Sequence, residues 1–182
     1  FRGVLEGNGH TISGLTIGAW KNGLFGALGL NAKIQNVNFT GVTMGEGSYM
    51  FALVMRKTQL SNVNIEFSVD TQSALIADTM NACAFNNVTV KTCVGAYLFW
   101  KIDDAETTEI PAGLTRNYYA QHTVTFNTDG GDAIAPVAVT VGKTVVKPTN
   151  PTKASDENYD YTFAGWFYKG EEFNFDTPIT EA

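Results

Sequence analysis

The chain has 182 residues and only 16% charged side chains, with 12 Lys+Arg against 18 Asp+Glu for a net charge of −6. An acidic chain without a Lys/Arg cluster cannot neutralise phosphates, which argues against nucleic acid as a partner, and no apolar run approaches the roughly 20 residues of a membrane span. Its 22 Thr, 15 Asn and 18 Gly supply the polarity and the turns, so the composition leans towards strands rather than helices.

The length allows one or two domains, each able to bury a core. The chain starts at Phe1 with no initiator Met and no signal-like segment, so it is expected to be a piece of something longer.

The first hundred residues repeat. Ile12-Ser13-Gly14-Leu15-Thr16-Ile17, Ile34-Gln35-Asn36-Val37-Asn38-Phe39, Leu60-Ser61-Asn62-Val63-Asn64-Ile65 and Phe85-Asn86-Asn87-Val88-Thr89-Val90 share one order: apolar, polar, small or Asn, apolar, polar, apolar. Their starts lie 22, 26 and 25 residues apart. A second apolar block follows each, at Gly23–Leu28, Tyr49–Val54, Ala74–Ala77 and Ala96–Trp100. Each repeat therefore holds at least two short strands.

The block ends alternate with period two, which turns the apolar side chains to one face. Such a strand buries that face only by stacking on its equivalents in neighbouring repeats, the logic of a solenoid. A leucine-rich repeat needs an L-x-x-L-x-L-x-x-N frame that is missing, and the second block has no helical spacing. The expectation is a parallel β-helix of about four coils. Asn36, Asn62 and Asn87 precede the apolar Val of each repeat, and stacked copies bonding to one another are favoured over a ligand or metal ladder.

The opening Phe1-Arg2-Gly3-Val4-Leu5-Glu6-Gly7-Asn8-Gly9-His10-Thr11-Ile12-Ser13-Gly14-Leu15 resembles the F-x-G-x-x-D-G-N-G-H-x-I-x-G-L segment of right-handed β-helix regions in bacterial surface proteins. Gly23-Leu24-Phe25-Gly26 and Ala32-Lys33-Ile34-Gln35-Asn36-Val37 are similar to the GLUG-like repeat of large secreted adhesins and proteases. The resemblance spans residues 1–102 and is densest over 1–40. Later coils lack the G-L-F-G signature, and Glu6 stands where Asp is usual. Asn8-Gly9 reads as a tight turn that accepts positive φ. His10, with no second His or carboxylate partner nearby, reads as structural rather than catalytic or metal-binding.

Residues 103–121 break the repeat and read as a linker. Asp103, Asp104 and Glu106 lack the D-x-D-x-D-G loop of a calcium site, and Tyr118-Tyr119 are expected at the domain junction. Cys83 and Cys93 read as small buried side chains; a disulfide between them is open, since their spacing matches no redox or zinc motif.

From His122 the text changes. Val124-Thr125-Phe126 reads as a strand, Asp129-Gly130-Gly131-Asp132 as a turn, Val137–Val141 as the returning strand, and Tyr161–Tyr168 as an aromatic strand. Residues 121–182 carry 4 basic and 9 acidic side chains, and so hold nearly all of the net charge.

Val124, Phe126, Asp129-Gly130-Gly131, Val139 and Gly142, Pro148–Lys153, Tyr161-Thr162-Phe163-Ala164-Gly165-Trp166-Phe167 and Phe173–Ile179 closely resemble the Listeria–Bacteroides repeat, also called the internalin B-repeat. That resemblance implies a small β-grasp-like domain over 122–182, used as a stalk or accessory module on bacterial surface proteins. Two features depart from the pattern. Ala154–Asp160 is longer and more acidic, which suggests a projecting loop. The chain also stops at Ala182, ahead of the pattern's closing L-Y-A-K-W strand, whose loss would leave an open sheet edge.

The expected architecture is mainly β, with a short right-handed parallel β-helix (1–102), a linker (103–121) and a β-grasp-like domain (122–182). The expected role is non-enzymatic: an extracellular adhesion or stalk module, attached to the cell surface or wall by an anchor elsewhere and monomeric, that contacts a host protein or a glycan. Trp166 is assigned to the core. Trp20, Tyr97 and Trp100 are the candidate contact residues, and no catalytic, cofactor or metal residue is assigned. The alternative is a carbohydrate-active β-helix enzyme or its glycan-binding accessory. An enzyme needs titratable groups stacked across neighbouring coils, whereas the candidates Glu66, Asp70, Asp78 and Lys91 read as occupying different phases of different repeats.

Overall fold

The computed structural model describes residues 1–20, 23–69, 71, 76–93, 98–99, 101–103, 105–107 and 109–181, with Glu106 described by its backbone alone. The described residues contain strands and no helix. The chain divides into two compact units, Phe1–Tyr119 and Ala120–Ala182.

In the first unit the strands run β1 (Val4–Glu6), β2 (Thr11–Ser13), β3 (Thr16–Ile17), β4 (Ala27–Leu28), β5 (Lys33–Met44), β6 (Ala52–Arg56), β7 (Gln59–Phe67), β8 (Ala77–Asn81), β9 (Ala84–Thr92), β10 (Lys101–Ile102), β11 (Ala105–Glu106) and β12 (Leu114–Tyr118). They form a parallel β-solenoid of about four turns. One sheet stacks β1, β5, β7, β9 and β12, with β2 and β3 also on β5; the other stacks β4, β6, β8 and β10, and β11 closes it antiparallel. β12 falls in the stretch that reads as a connector, yet it pairs with β9 through Leu114↔Val88.

The repeat pattern has a backbone cause. Asn36, Asn62 and Asn87 have φ of 54°, 52° and 53° in the middle of β5, β7 and β9. One left-handed residue puts two outward positions in succession and then restores the alternation, so Ile34, Val37 and Phe39 all point inward. Asn tolerates this conformation better than other side chains that carry a Cβ. The interior is built of columns: Ile34 on Leu60, Val37 on Val63 on Val88, and Phe39 on Ile65 on Val90, all buried.

The first coil is registered differently from its sequence alignment. Ile12 stacks on Phe39 rather than matching Ile34, whose partner is Leu5. The Asn8-Gly9 turn explains the offset. Both residues have positive φ, and the His10 N–H closes the turn on the Gly7 carbonyl at 2.8 Å. These extra residues lengthen the coil between Leu5 and Ile12.

In the second unit β13 (Gln121–Val124) pairs antiparallel with β14 (Val137–Thr140), and β15 (Phe167–Tyr168) with β16 (Glu171–Glu172). The strand expected over 161–168 contracts to β15, which turns at once through Lys169-Gly170, both at positive φ. Val139 and Val145 are the buried apolar side chains among the described residues of this unit. Trp166 is half-buried, edge-to-face with Phe126 and Phe163 at 5.1 and 5.3 Å, beside a hollow of about 1160 Å³ that Phe173 and Phe175 also line. It thus lies in an aromatic cluster that lines this hollow, half-buried rather than enclosed in a core.

Candidate functional site

The solenoid carries a polar flank whose geometry follows from the left-handed asparagines. Stacking at about 4.8 Å per coil brings equivalent side chains within hydrogen-bond range. Asn87 Nδ2 donates to Asn62 Oδ1 at 3.0 Å, and Asn62 Nδ2 donates to Asn36 Oδ1 at 2.9 Å. Asn36 Nδ2 then donates to both oxygens of Glu6, at 3.0 and 3.1 Å.

Glu6 also accepts from the Asn8 N–H at 2.8 Å and from Gln35 Nε2 at 2.7 Å. Together these donors hold its carboxyl below the usual carboxylate range, with the Gln35 bond contributing most. An ionised carboxylate only accepts, so the nitrogen of Asn36 must face it, and every amide behind Asn36 takes the same direction. At the far end the next position is Gly113, where a Cβ would lie 2.0 Å from the Phe85 carbonyl oxygen. The ladder therefore runs from Asn87 to Glu6 and stops.

A second row lies beside it: Thr11, Asn38, Asn64, Thr89 and Thr115 in register. Thr89 Oγ1 donates to Asn64 Oδ1, and Asn38 Nδ2 donates to the Gly9 carbonyl at 3.2 Å. Glu6, Asn8, Gly9, Asn36, Asn38 and Asn62 surround an open hollow of about 450 Å³.

The titratable candidates resolve into internal pairs. Glu66 and Lys91 are register partners on β7 and β9 and form an ion pair at 3.0 Å, so the reading that put them in different phases is corrected. The repeat alignment already carries this offset of 25, since Glu66 follows Leu60 by six residues and Lys91 follows Phe85 by six. Tyr119 covers this pair: Lys91 Nζ sits 4.4 Å from its ring centroid, and its hydroxyl donates to the Phe67 carbonyl at 2.6 Å and lies 3.2 Å from Glu66 Oε1. Burial, followed by the Glu66 charge, pushes the phenol up to about 12, where it is no base at neutral pH.

Asp78 accepts from Thr79 Oγ1 at 3.0 Å and lies 3.5 Å from the Tyr49 hydroxyl. His10 Nδ1 donates to the Gly7 carbonyl at 2.9 Å, a turn contact. Cys83 and Cys93 are free and half-buried, with sulfurs directed at the Met55 and Val69 carbonyls. Among the described residues no group of three or more His, Cys, Asp and Glu could hold a metal ion, and no helix is long and apolar enough to cross a membrane.

Of the aromatic contact candidates, Trp20 is 74% exposed at positive φ, with its ring laid over Gly47. Tyr97 and Trp100 lie outside the described residues, as do Asp70 and Asp104. Sequence reasoning missed Glu6 as the end of the ladder. It sits outside the repeat pattern, and its one signal was the departure from Asp.

Residues 122–182, a third of the chain, match the Listeria-Bacteroides repeat domain family. This is a repeat family of extracellular surface proteins and not an enzyme family. No curated protein and no solved structure matches the chain.

Proposed function

We propose that this chain is a non-enzymatic module of a secreted bacterial cell-surface protein, acting in adhesion or as a spacer and contacting a host protein or a glycan through the flank or loops of its solenoid. The observation that carries the reading is the match of residues 122–182 to a repeat of extracellular surface proteins. In the first unit Glu66, Lys91 and Tyr119 bond to one another as an ion pair covered by the tyrosine ring, an arrangement that a structural role accounts for. Attachment to the cell wall, a monomeric state, GLUG-like descent of the first unit and a β-grasp-like second unit belong to the same proposal, as does the division into a module over 1–102, a connector and a module over 122–182.

Protease shaving of intact source cells, with an antibody against the purified chain, tests the location. Release of chain fragments from unbroken cells supports the reading, and protection until lysis overturns it. Turnover of any polysaccharide by the purified chain would replace it with the carbohydrate-active enzyme alternative.

A further inference from the structure

The polar flank has unused hydrogen-bonding capacity in a regular array. Asn62, in the middle of the ladder, uses one N–H and one oxygen lone pair along the column, so its second N–H and second lone pair remain for solvent or a ligand, and the Asn87 oxygen accepts no bond along the column. Among the described residues the Asn8 side-chain amide, Asn38 Oδ1 and Asn64 Nδ2 have no partner within the chain. The Asn8 amide and Asn38 line the hollow of about 450 Å³, and Asn64 continues the outer row on the next coil.

We propose that this flank, centred on Asn8, Asn36, Asn38 and Asn62 and continued by Asn64 and Thr89, binds a neutral, hydroxyl-rich glycan chain. The inference rests on the reading of the chain as a surface module and names what its solenoid holds.

Two features of the site select that ligand class. First, its exposed groups are amides and hydroxyls that both donate and accept, as sugar hydroxyls do, in two parallel rows that repeat at about 4.8 Å along the solenoid. An extended polymer meets the same chemistry at each coil. Second, the one charge in the hollow is occupied by neighbouring donors. Both Glu6 oxygens already accept two hydrogen bonds each, so the carboxylate orients the amides and has little capacity left for a cation, while its negative charge disfavours a polyanion. The bound sugar is therefore recognised by aligned amides, with contact across several coils making up for weak individual bonds.

The test is affinity electrophoresis of the full chain in native gels containing soluble mannan, xyloglucan or galactan, with polygalacturonate as the charged control. Amide shift mapping with the corresponding hexasaccharides accompanies it. The expected result is retardation by at least one neutral polymer and shifts confined to residues 4–13 and to β5, β7 and β9. In Asn8→Gly/Asn38→Ala, where Gly keeps the left-handed turn, affinity should fall by about tenfold.

Three results would overturn the proposal: no retardation by any neutral polymer, equal binding of polygalacturonate, or shifts confined to Trp20 or to residues 120–181. The mapping uses the unaltered chain and decides the matter even if the double variant fails to fold. Binding of an extracellular protein with no glycan response overturns the glycan assignment while the surface-module reading stands.

Discussion

Asn36 Nδ2 lies 3.0 and 3.1 Å from the two oxygens of Glu6, 30 residues earlier in the chain, and this contact sets the direction of every amide stacked behind it. A carboxylate at one end demands donors, so Asn62 and Asn87 align their amides toward it. The dipoles of the column then reinforce one another and stabilise the anion.

Asn62 combines a ladder role with a left-handed backbone, and two substitutions separate these. Asn62→Gly removes the hydrogen bonds to Asn36 and Asn87 and keeps the conformation, at a cost of about 1 kcal/mol. Asn62→Ala adds left-handed strain of about 1–2 kcal/mol. Urea unfolding should rank wild type above Gly above Ala, and an Ala variant as stable as the Gly variant would refute the account.

The pH dependence of the ladder follows from the lowered Glu6 carboxyl. Its folded value lies below its unfolded value of 4.5, so its contribution is fully present above that pH and is lost as pH falls through the folded value. The melting-temperature gap between wild type and Glu6→Gln should be constant above about pH 5.5 and close progressively in acid. A gap that widens below pH 4.5 would contradict the sign.

The register of the first coil predicts unequal costs for two apolar residues in one column. Phe39 is fully buried between Ile12 and Ile65, and Phe39→Ala should cost about 3–5 kcal/mol. Ile12 is 41% exposed on the end coil, and Ile12→Ala should cost about 1 kcal/mol or less. Denaturant midpoints at unchanged slope would report both values, and a cost for Ile12 matching that for Phe39 would place another layer over it.

Tyr119 predicts an alkaline effect of the opposite sense. Its phenol rises to about 12 in the folded chain from an ordinary value of 10.0. Its contribution is complete below pH 10, then declines until the folded group ionises. Stability of wild type should therefore fall between pH 10 and 12 relative to Tyr119→Phe, while at neutral pH the variant is less stable by about 1 kcal/mol through loss of the Phe67 bond. Ultraviolet absorbance at tyrosinate wavelengths follows the titration.

Much of the solenoid was legible because its cause is local and repeated. The apolar pattern around Asn36, Asn62 and Asn87 reports one left-handed residue per strand, and the same columns appear in the structure. The aromatic strand over 161–168 was less legible. Its residues have strand propensity, but β15 bends back within two residues at Lys169-Gly170, and the aromatics gather around Trp166 instead of alternating across a sheet.

By itself the amino-acid sequence determined that the chain stacks β coils, that its asparagines recur at one phase of each coil, and that an acidic module with a family pattern of its own follows. Those features follow from periodicity and composition, which are properties of neighbouring residues. Only the tertiary structure decided that Ile12 lies over Phe39 and that Glu6 ends the asparagine ladder. Each is a contact between separate coils whose alignment depends on residues inserted at a turn, and a repeat pattern carries no record of that offset.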